Sequence, residues 1–380
     1  MSEKLFTPGP VEIPGRVLSA LGRRPPHHRN ENFRALFGDV SARLARLFAT
    51  QGRVVLLAAS GTGGMEAAVA SFVRRGEPTL VGSAGKFGER WTKILTAYGH
   101  APEIVRAEYG SPIDPGAWSA ALARVRPGMA FFTHSETSTG TLSDLPVLAR
   151  AARDAGALVV ADVVTSLGVH RFRQDEDGVD VAVAGSQKGL MLPPGLALVG
   201  LGPRALERLV AGGAAGPAFY FDLARAAHSA READTPFTPA ISTILALDES
   251  LRMIEEIGIE NVWRRHATLA RAVREGATAA GFRVFSQAPA DSVTALLPPD
   301  GVDARSVVKH VKSAHHLVLA GGQDSLQGKI VRVGHMGLAY GPEDAVLVCR
   351  ALEEAAMTLG ATGRTGAAAA VAQRALESPA

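Results

Sequence analysis

Short apolar runs recur along the first half of the chain, and an amphipathic stretch follows most of them. The runs at residues 54–58, 79–81, 103–105, 130–133, 158–161, 181–184 and 196–200 are candidate strands, and several are apolar without alternation. Strands buried on both faces of a mainly parallel sheet read this way. Residues 64–75, 86–98, 115–125 and 145–155 carry helical spacing between them. The alternation predicts an α/β fold: a mainly parallel, seven-stranded sheet with helices on both faces.

After Pro236 the rhythm changes. Residues 241–257 and 261–280 read as long helices, the second stopped by Gly281. Strands at 283–285 and 292–297, a helix at 304–313, a turn at Gly321-Gly322, a strand at 330–333 and a helix at 342–359 complete the pattern. We expect an N-terminal segment and large domain over 1–258 and a smaller α+β domain over 259–360. Residues 361–380, rich in Ala, Gly and Thr, are expected to form a frayed, disordered tail. No internal repeat of fixed period is visible.

With 380 residues, 47% of them apolar, the chain can bury a large core. Its 40 basic and 37 acidic residues leave a net charge of +3. The short pairs Arg23-Arg24 and Arg264-Arg265 read as solvated surface, so no nucleic-acid partner is expected. Small anionic substrates fit the charge. Cys349 is the single cysteine, which rules out a disulfide framework or a cysteine-ligated metal. No metal ligand is assigned. Met1-Ser2-Glu3-Lys4-Leu5 lacks a signal-peptide pattern. Residues 189–203, the longest nearly apolar stretch, are too short and too rich in Pro and Gly to span a bilayer. A cytoplasmic protein without a membrane partner is expected.

The chemistry concentrates at the ends of the apolar runs. Asp162 closes the run at 157–161, and Lys188 follows in Gly185-Ser186-Gln187-Lys188. Such strand ends open onto one crevice in a parallel sheet. A lysine and a carboxylate there can serve one cofactor: the lysine as a Schiff base with pyridoxal phosphate, the aspartate as partner of its pyridinium nitrogen. Partial burial would lower the lysine's pKa and favour the neutral nucleophile. Ser60-Gly61-Thr62-Gly63-Gly64-Met65-Glu66 follows the first strand and opens a helix, where free amides and glycines suit an anion. It lacks the Gly-Lys-[Ser/Thr] of a Walker loop and the last glycine of a dinucleotide loop. Phe87, beside Gly88, could stack on a cofactor ring. Thr133-His134-Ser135-Glu136-Thr137-Ser138-Thr139-Gly140 is a polar run at a strand end. Arg332 interrupts an apolar strand, and its planar fork suits an α-carboxylate.

Together these segments resemble the class V, fold-type I pyridoxal-phosphate aminotransferases, in the alanine–glyoxylate / serine–pyruvate branch. Thr7-Pro8-Gly9-Pro10, the Ser-Gly-Thr-Gly loop, the His-x-Glu-Thr-Ser-Thr-Gly run, residues 161–168, Gly-Ser-Gln-Lys and residues 332–337 carry the resemblance, which covers about residues 5 to 355. It implies roles position by position. Lys188 would carry the internal aldimine, and Asp162 would pair with the pyridine nitrogen. Phe87 would stack on the ring, Val164 would pack on its other face, and Thr137 would contact its polar edge. Thr62, Gly63, Gly64 and Gln187 would hold the phosphate, although relatives often have histidine where this chain has Gly64. Arg332 would bind the substrate carboxylate, with Gly9 in the same pocket. The segment Thr235-Pro236-Phe237-Thr238-Pro239 would reach the partner subunit's phosphate site through Thr238, making a homodimer with shared active sites. His28 and Arg29 lie in a segment that borders the pocket in some relatives. The activity implied is transfer of an amino group from alanine or serine to glyoxylate or pyruvate. Transamination of 2-aminoethylphosphonate or ureidoglycine stays open, as does a non-catalytic protein on the same fold.

Overall fold

The computed structural model describes residues 3–212, 218–362 and 366–378. Seven strands form the large sheet: β1 (Arg53–Leu57), β2 (Thr79–Ser83), β3 (Glu103–Arg106), β4 (Met129–Thr133), β5 (Leu158–Asp162), β6 (Val181–Gly185) and β7 (Ala197–Leu201). Their order is β1-β7-β6-β5-β4-β2-β3. All neighbours are parallel except β7, which runs antiparallel to both β1 and β6. Strands β2, β4, β5, β6 and β7 are buried along their whole length, as their unbroken apolar runs require. The register sets Thr133 beside Asp162 and Asp162 beside Val183. The carboxyl ends of β4, β5 and β6 therefore finish side by side, where the polar loops begin.

A smaller antiparallel sheet follows, from β8 (Arg283–Val284), β9 (Val293–Leu297), β10 (Ala320–Gly321) and β11 (Val331–Gly334), in the order β8-β9-β11-β10. The helices that matter below are α1 (Gly61–Phe72), α2 (Lys86–Ala97), α3 (Ile259–Ala279), α4 (Ala304–His315), α5 (Pro342–Thr358) and α6 (Ala367–Glu377). The N-terminal pair Lys4–Leu5 runs parallel to Leu317–Val318, and Lys4 pairs with Asp344 at the start of α5. That anchors the peptide leading to Pro8 and Gly9.

Residues 367–377 correct the expectation of a frayed tail. They form α6, which buries Ala368, Ala372 and Ala375 against α3 and α5. The Glu353 carboxylate of α5 accepts the amides of Gly366 (2.7 Å) and Ala368 (3.0 Å) at its entry. At its exit Arg271 of α3 donates to the carbonyls of Ala375 and Ser378. Residues 363–365 and 379–380 of that expected tail lie outside the described residues. No helix among the described residues is long and apolar enough to cross a membrane.

Where elements of the two sheets meet, four histidines are buried: His134, His170, His266 and His335. The His134 and His170 rings lie 5.8 Å apart with planes inclined at 52°. His266 donates Nδ1–H to Val262 and accepts the Gly337 amide. Burial is the main cause that holds each imidazole neutral. It drives His134 and His170 down to about 3 and His266 to about 4, and it holds His335 well below its ordinary value. In the unfolded chain the same rings titrate near 6.5, so below that pH the unfolded state takes up protons that the folded state refuses. Their contribution is intact above pH 6.5 and is lost as pH falls toward 4. The buried carboxyls Glu136 and Asp162 titrate above their ordinary values and work in the opposite direction, so the test is a difference. Urea midpoints of the wild type and of His134→Asn/His170→Asn, measured from pH 8 to 5, should run parallel above 6.5. Below 6.5 the wild type should fall more steeply. A constant gap across that range would refute the burial account.

Candidate active site

One cleft opens at the carboxyl ends of β4, β5 and β6. Of the residues singled out in the sequence, it is lined by Gly9, Thr62, Phe87, Thr137, Asp162, Val164, Gln187 and Lys188. It adds Ser60, Gly61, Met65, Arg90, Ser135 and Thr165.

Lys188 stands in a tight turn after β6. The Ser186 hydroxyl donates to the Pro193 carbonyl (2.7 Å) and accepts the Leu196 amide (3.1 Å), closing the β6–β7 loop on itself. The Met191 amide donates to the Lys188 carbonyl, with Met191 at φ 55° in the left-handed region. The ammonium donates to the Pro8 carbonyl. Gly9, at φ 128°, passes so close that any side chain there would overlap that of Lys188. Burial lowers Lys188 to about 8, against the pull of Asp162 and with help from Arg332 and Arg90.

Asp162 is buried at the end of β5. One oxygen accepts the Val164 amide (2.8 Å). No cation among the described residues forms an ion pair with it. Burial raises its carboxyl to about 7, only partly offset by the Val164 amide and by the distant charges of Arg90 and Lys188. A buried carboxylate turned to a cleft without a cation fits a ligand that brings one.

Ser60 precedes α1 without capping it through its side chain. The first-turn amides of Gly61, Thr62 and Gly63 have no partner within the helix, which makes an anion site at the cleft wall. Gly64 departs from the expected phosphate contact. Its amide donates to the Ser60 carbonyl, and its Cα packs toward Val183 and Ala197 of the sheet. Gly63 faces Ala59 and Phe221. The Gln187 side-chain oxygen is buried without a partner.

Two residues that the sequence reading left without a role organise the opposite wall. Glu136 is buried, and its carboxylate accepts the amides of Phe87 and Gly88 (3.0 Å each) and both the amide and hydroxyl of Ser138. It caps α2 from another element and so fixes the turn that carries Phe87. Arg90, one turn on, donates to the Thr62 hydroxyl (2.9 Å), and its guanidinium lies 4.5 Å from the Phe87 ring centroid. Their signal in the sequence is spacing alone: the arginine three residues after Phe87, the glutamate just before Thr137. Glu136→Gln would turn an NH2 toward groups that are already donors. We expect a loss of about 2 kcal/mol in urea unfolding and weaker cofactor retention. An unchanged unfolding free energy would show that the cap does not hold α2.

Arg332 is buried on β11 and does not itself line the cleft. Its guanidinium donates to the carbonyls of Thr137 and Gly321 (2.9 Å each), one layer behind Thr137. Burial lowers it to about 10, leaving it cationic near neutral pH. Thr238 is exposed and outside the cleft. Arg29 pairs with Asp234 (3.1 Å) rather than entering the cleft.

The arrangement offers a lysine that deprotonates readily, an unpaired carboxylate for a cationic ring nitrogen, and free amides for a phosphate. These fit pyridoxal 5'-phosphate. The family described as "Aminotransferase class-V" matches residues 16–339. A protein of Synechococcus sp. (strain PCC 6716), named "Soluble hydrogenase, small subunit", is 40% identical, with 98% of each chain covered. The "Serine--glyoxylate aminotransferase" of Methylorubrum extorquens is 34% identical over 88% of this chain and 86% of its own. The solved ureidoglycine-glyoxylate aminotransferase of Bacillus subtilis superposes with a TM-score of 0.93 at 28% identity, covering 100% of this chain and 99% of that one. The chain therefore belongs to the class V aminotransferases, enzymes that depend on pyridoxal 5'-phosphate.

Proposed function

We propose that this chain moves an amino group from a small amino acid, alanine or serine, to glyoxylate or pyruvate. The observation that carries the proposal is the single cleft shared by Lys188, the unpaired Asp162 and the open first turn of α1. Bound there, the cofactor supplies an electron sink for the substrate's Cα. Lys188 Nζ would hold the cofactor and, once freed by the substrate amine, would remove and return a proton at the substrate Cα. Asp162 keeps the ring nitrogen protonated. Gly61, Thr62, Gly63 and Gln187 hold the phosphate, with Arg90 beside Thr62. Phe87 and Val164 would pack on the ring's two faces, and Thr137 would meet its polar edge. Arg332 would bind the substrate carboxylate only by turning from the Thr137 and Gly321 carbonyls toward the cleft, and Gly9 leaves room over Lys188.

The same reading makes the protein a homodimer. Tyr220 stacks on Phe237 at 5.1 Å, and Phe219 is 71% exposed beside them. An aromatic patch so exposed next to Thr238 fits a partner surface. Thr238 then serves the partner subunit's phosphate site.

The Synechococcus relative is named as a subunit of a soluble hydrogenase. This chain offers no thiolate set for a metal cluster: Cys349 is its single cysteine, buried in α5 with its thiol pushed up to about 12.

Absorbance spectra of the purified holoenzyme, taken as L-alanine, L-serine, L-aspartate and 2-aminoethylphosphonate are added in turn, test the proposal. A shift of the cofactor band with alanine or serine, reversed by glyoxylate or pyruvate, is the expected result. A shift with aspartate or the phosphonate alone would replace the donor. Silence to all four would point to a larger amine such as ureidoglycine.

A further inference from the structure

A second cluster of chemistry lies away from the cleft, where the C-terminal end of α4 meets α5. One ligand atom each from His310 and His315 of α4 and Glu354 of α5 lie within 4.8 Å of one another. The two imidazole centroids are 6.5 Å apart with planes inclined at 59°. His315 Nε2 stands 3.4 Å from a Glu354 carboxylate oxygen. The Nε2 atoms of both histidines are buried, and neither makes a hydrogen bond. A buried polar atom without a partner is costly, and two of them beside one carboxylate ask for a shared partner.

We propose that His310, His315 and Glu354 bind a divalent transition-metal ion, with zinc the best fit. Two imidazole nitrogens and one carboxylate oxygen form a borderline donor set, matched to zinc or cobalt rather than to the all-oxygen preference of calcium and magnesium. Zinc bonds of roughly 2.0–2.2 Å place ligand atoms about 3.4 Å apart in a tetrahedron. His315 Nε2 and Glu354 already stand at 3.4 Å, and the set, within 4.8 Å of one another, would close to that spacing by side-chain rotation. Glu354 is exposed, so water can fill the fourth position. His315 is the last residue of α4, and His316 caps it at φ 57°; the helix's negative end favours a cation there. Lys312 on the same turn is engaged by Glu3 at 3.2 Å, which moderates its repulsion.

The ion would cross-link α4 to α5. The next residue, His316, accepts the Lys4 amide at the start of the N-terminal strand. That strand leads to Pro8 and Gly9 over Lys188, so the metal braces the anchor of the segment that covers the lysine. Its ligands touch nothing in the cleft. The site stands independently of the amino-transfer reading, and its main effect falls on stability.

The test is calorimetric titration of Zn(II) into chelator-dialysed holoenzyme, with thermal melts and a Co(II) absorption spectrum alongside. The wild type should bind one equivalent, melt several degrees higher with zinc, and show visible bands of tetrahedral cobalt. His310→Ala and His315→Ala should each lower the affinity at least about 10-fold, the scale of losing even an outer partner of a metal ligand. Glu354→Gln should weaken binding in the same direction. An unchanged cofactor absorbance in each variant reports an intact fold. No binding by the wild type, or equal affinity in the His310→Ala/His315→Ala double variant, would overturn the proposal.

Discussion

Lys188→Ala is expected to lose at least about 10⁴-fold in turnover, together with the visible absorbance of the lysine-bound cofactor. The size follows from what one side chain does. In the proposed mechanism Nζ is at once the nucleophile that holds the cofactor and the base that moves the Cα proton, and general acid–base catalysis alone is worth about 10²–10⁴. The fold should survive. Burial has moved this lysine from 10.5 to about 8, so at pH 7 the folded protein carries an ammonium against its preference, a handicap of up to about 3 kcal/mol. Linkage gives the sign: the unfolded lysine keeps its proton between pH 8 and 10.5 while the folded one has released it, and the penalty is fully present below 8. Removing the amine removes that penalty. Without cofactor, Lys188→Ala should therefore unfold at a urea concentration no lower than the cofactor-free wild type at pH 7. Turnover and circular dichroism measured on the same preparation check both halves. An inactive but unfolded variant would say nothing for catalysis and would refute the burial argument. A folded variant that still turns over would refute the assignment of Lys188.

The parts of this fold that the sequence announced are those where one local signal suffices. The seven strands stand within a residue or two of the apolar runs; in the five buried along their whole length, burial on both faces needs no alternation and leaves a nearly unbroken apolar stretch. The helix Glu31–Phe48 went unread although Phe33, Phe37, Val40, Leu44 and Phe48 follow helical spacing. Arg43 breaks that face. It is buried, and its compensation is Asp248, 2.6 Å away and 205 residues on. A charge on an apolar stripe reads as surface until its distant partner is known. Helix α6 failed differently. Its buried face is alanine, which gives almost no contrast with its solvent face, and its cap is Glu353 of another helix.

The site divides along the same line. Lys188, Asp162, Thr62 and Thr137 could be expected in one cleft, and do line one, because each stands at or after the end of a strand, and strand ends converge by topology. Arg90 and Glu136 act through contacts across 28 and 49 residues, which no spacing rule contains. Gly64 shows the limit of reading an anion loop from its glycines. It lies inside a glycine-rich anion loop, yet the helix begins three residues earlier than residue 64, so its amide is already spent on Ser60.

Asp162→Asn should drive activity and stability in opposite directions. Asparagine keeps the shape and can still accept the Val164 amide, but it cannot carry the charge that holds a proton on the cofactor's ring nitrogen. We expect a loss of about 10³-fold in kcat/KM, the scale of removing one preorganised electrostatic contact from a reacting centre. Without cofactor the same change should stabilise the protein. Burial has raised this carboxyl from 3.8 to about 7. Between those pH values the folded state holds a proton that the unfolded state has released, so stability falls as pH rises through the window and stays low above it. The full difference amounts to up to about 4 kcal/mol, and the asparagine does not incur it. Urea unfolding of the cofactor-free proteins at pH 8 should place the variant above the wild type, with the gap closing near pH 4. Loading both with cofactor should reverse the order, because the cationic ring then supplies the partner that Asp162 lacks within its own chain. A cofactor-free variant less stable than the wild type at pH 8 would mean that Asp162 is already satisfied, and its pairing with the ring nitrogen would lose its physical basis.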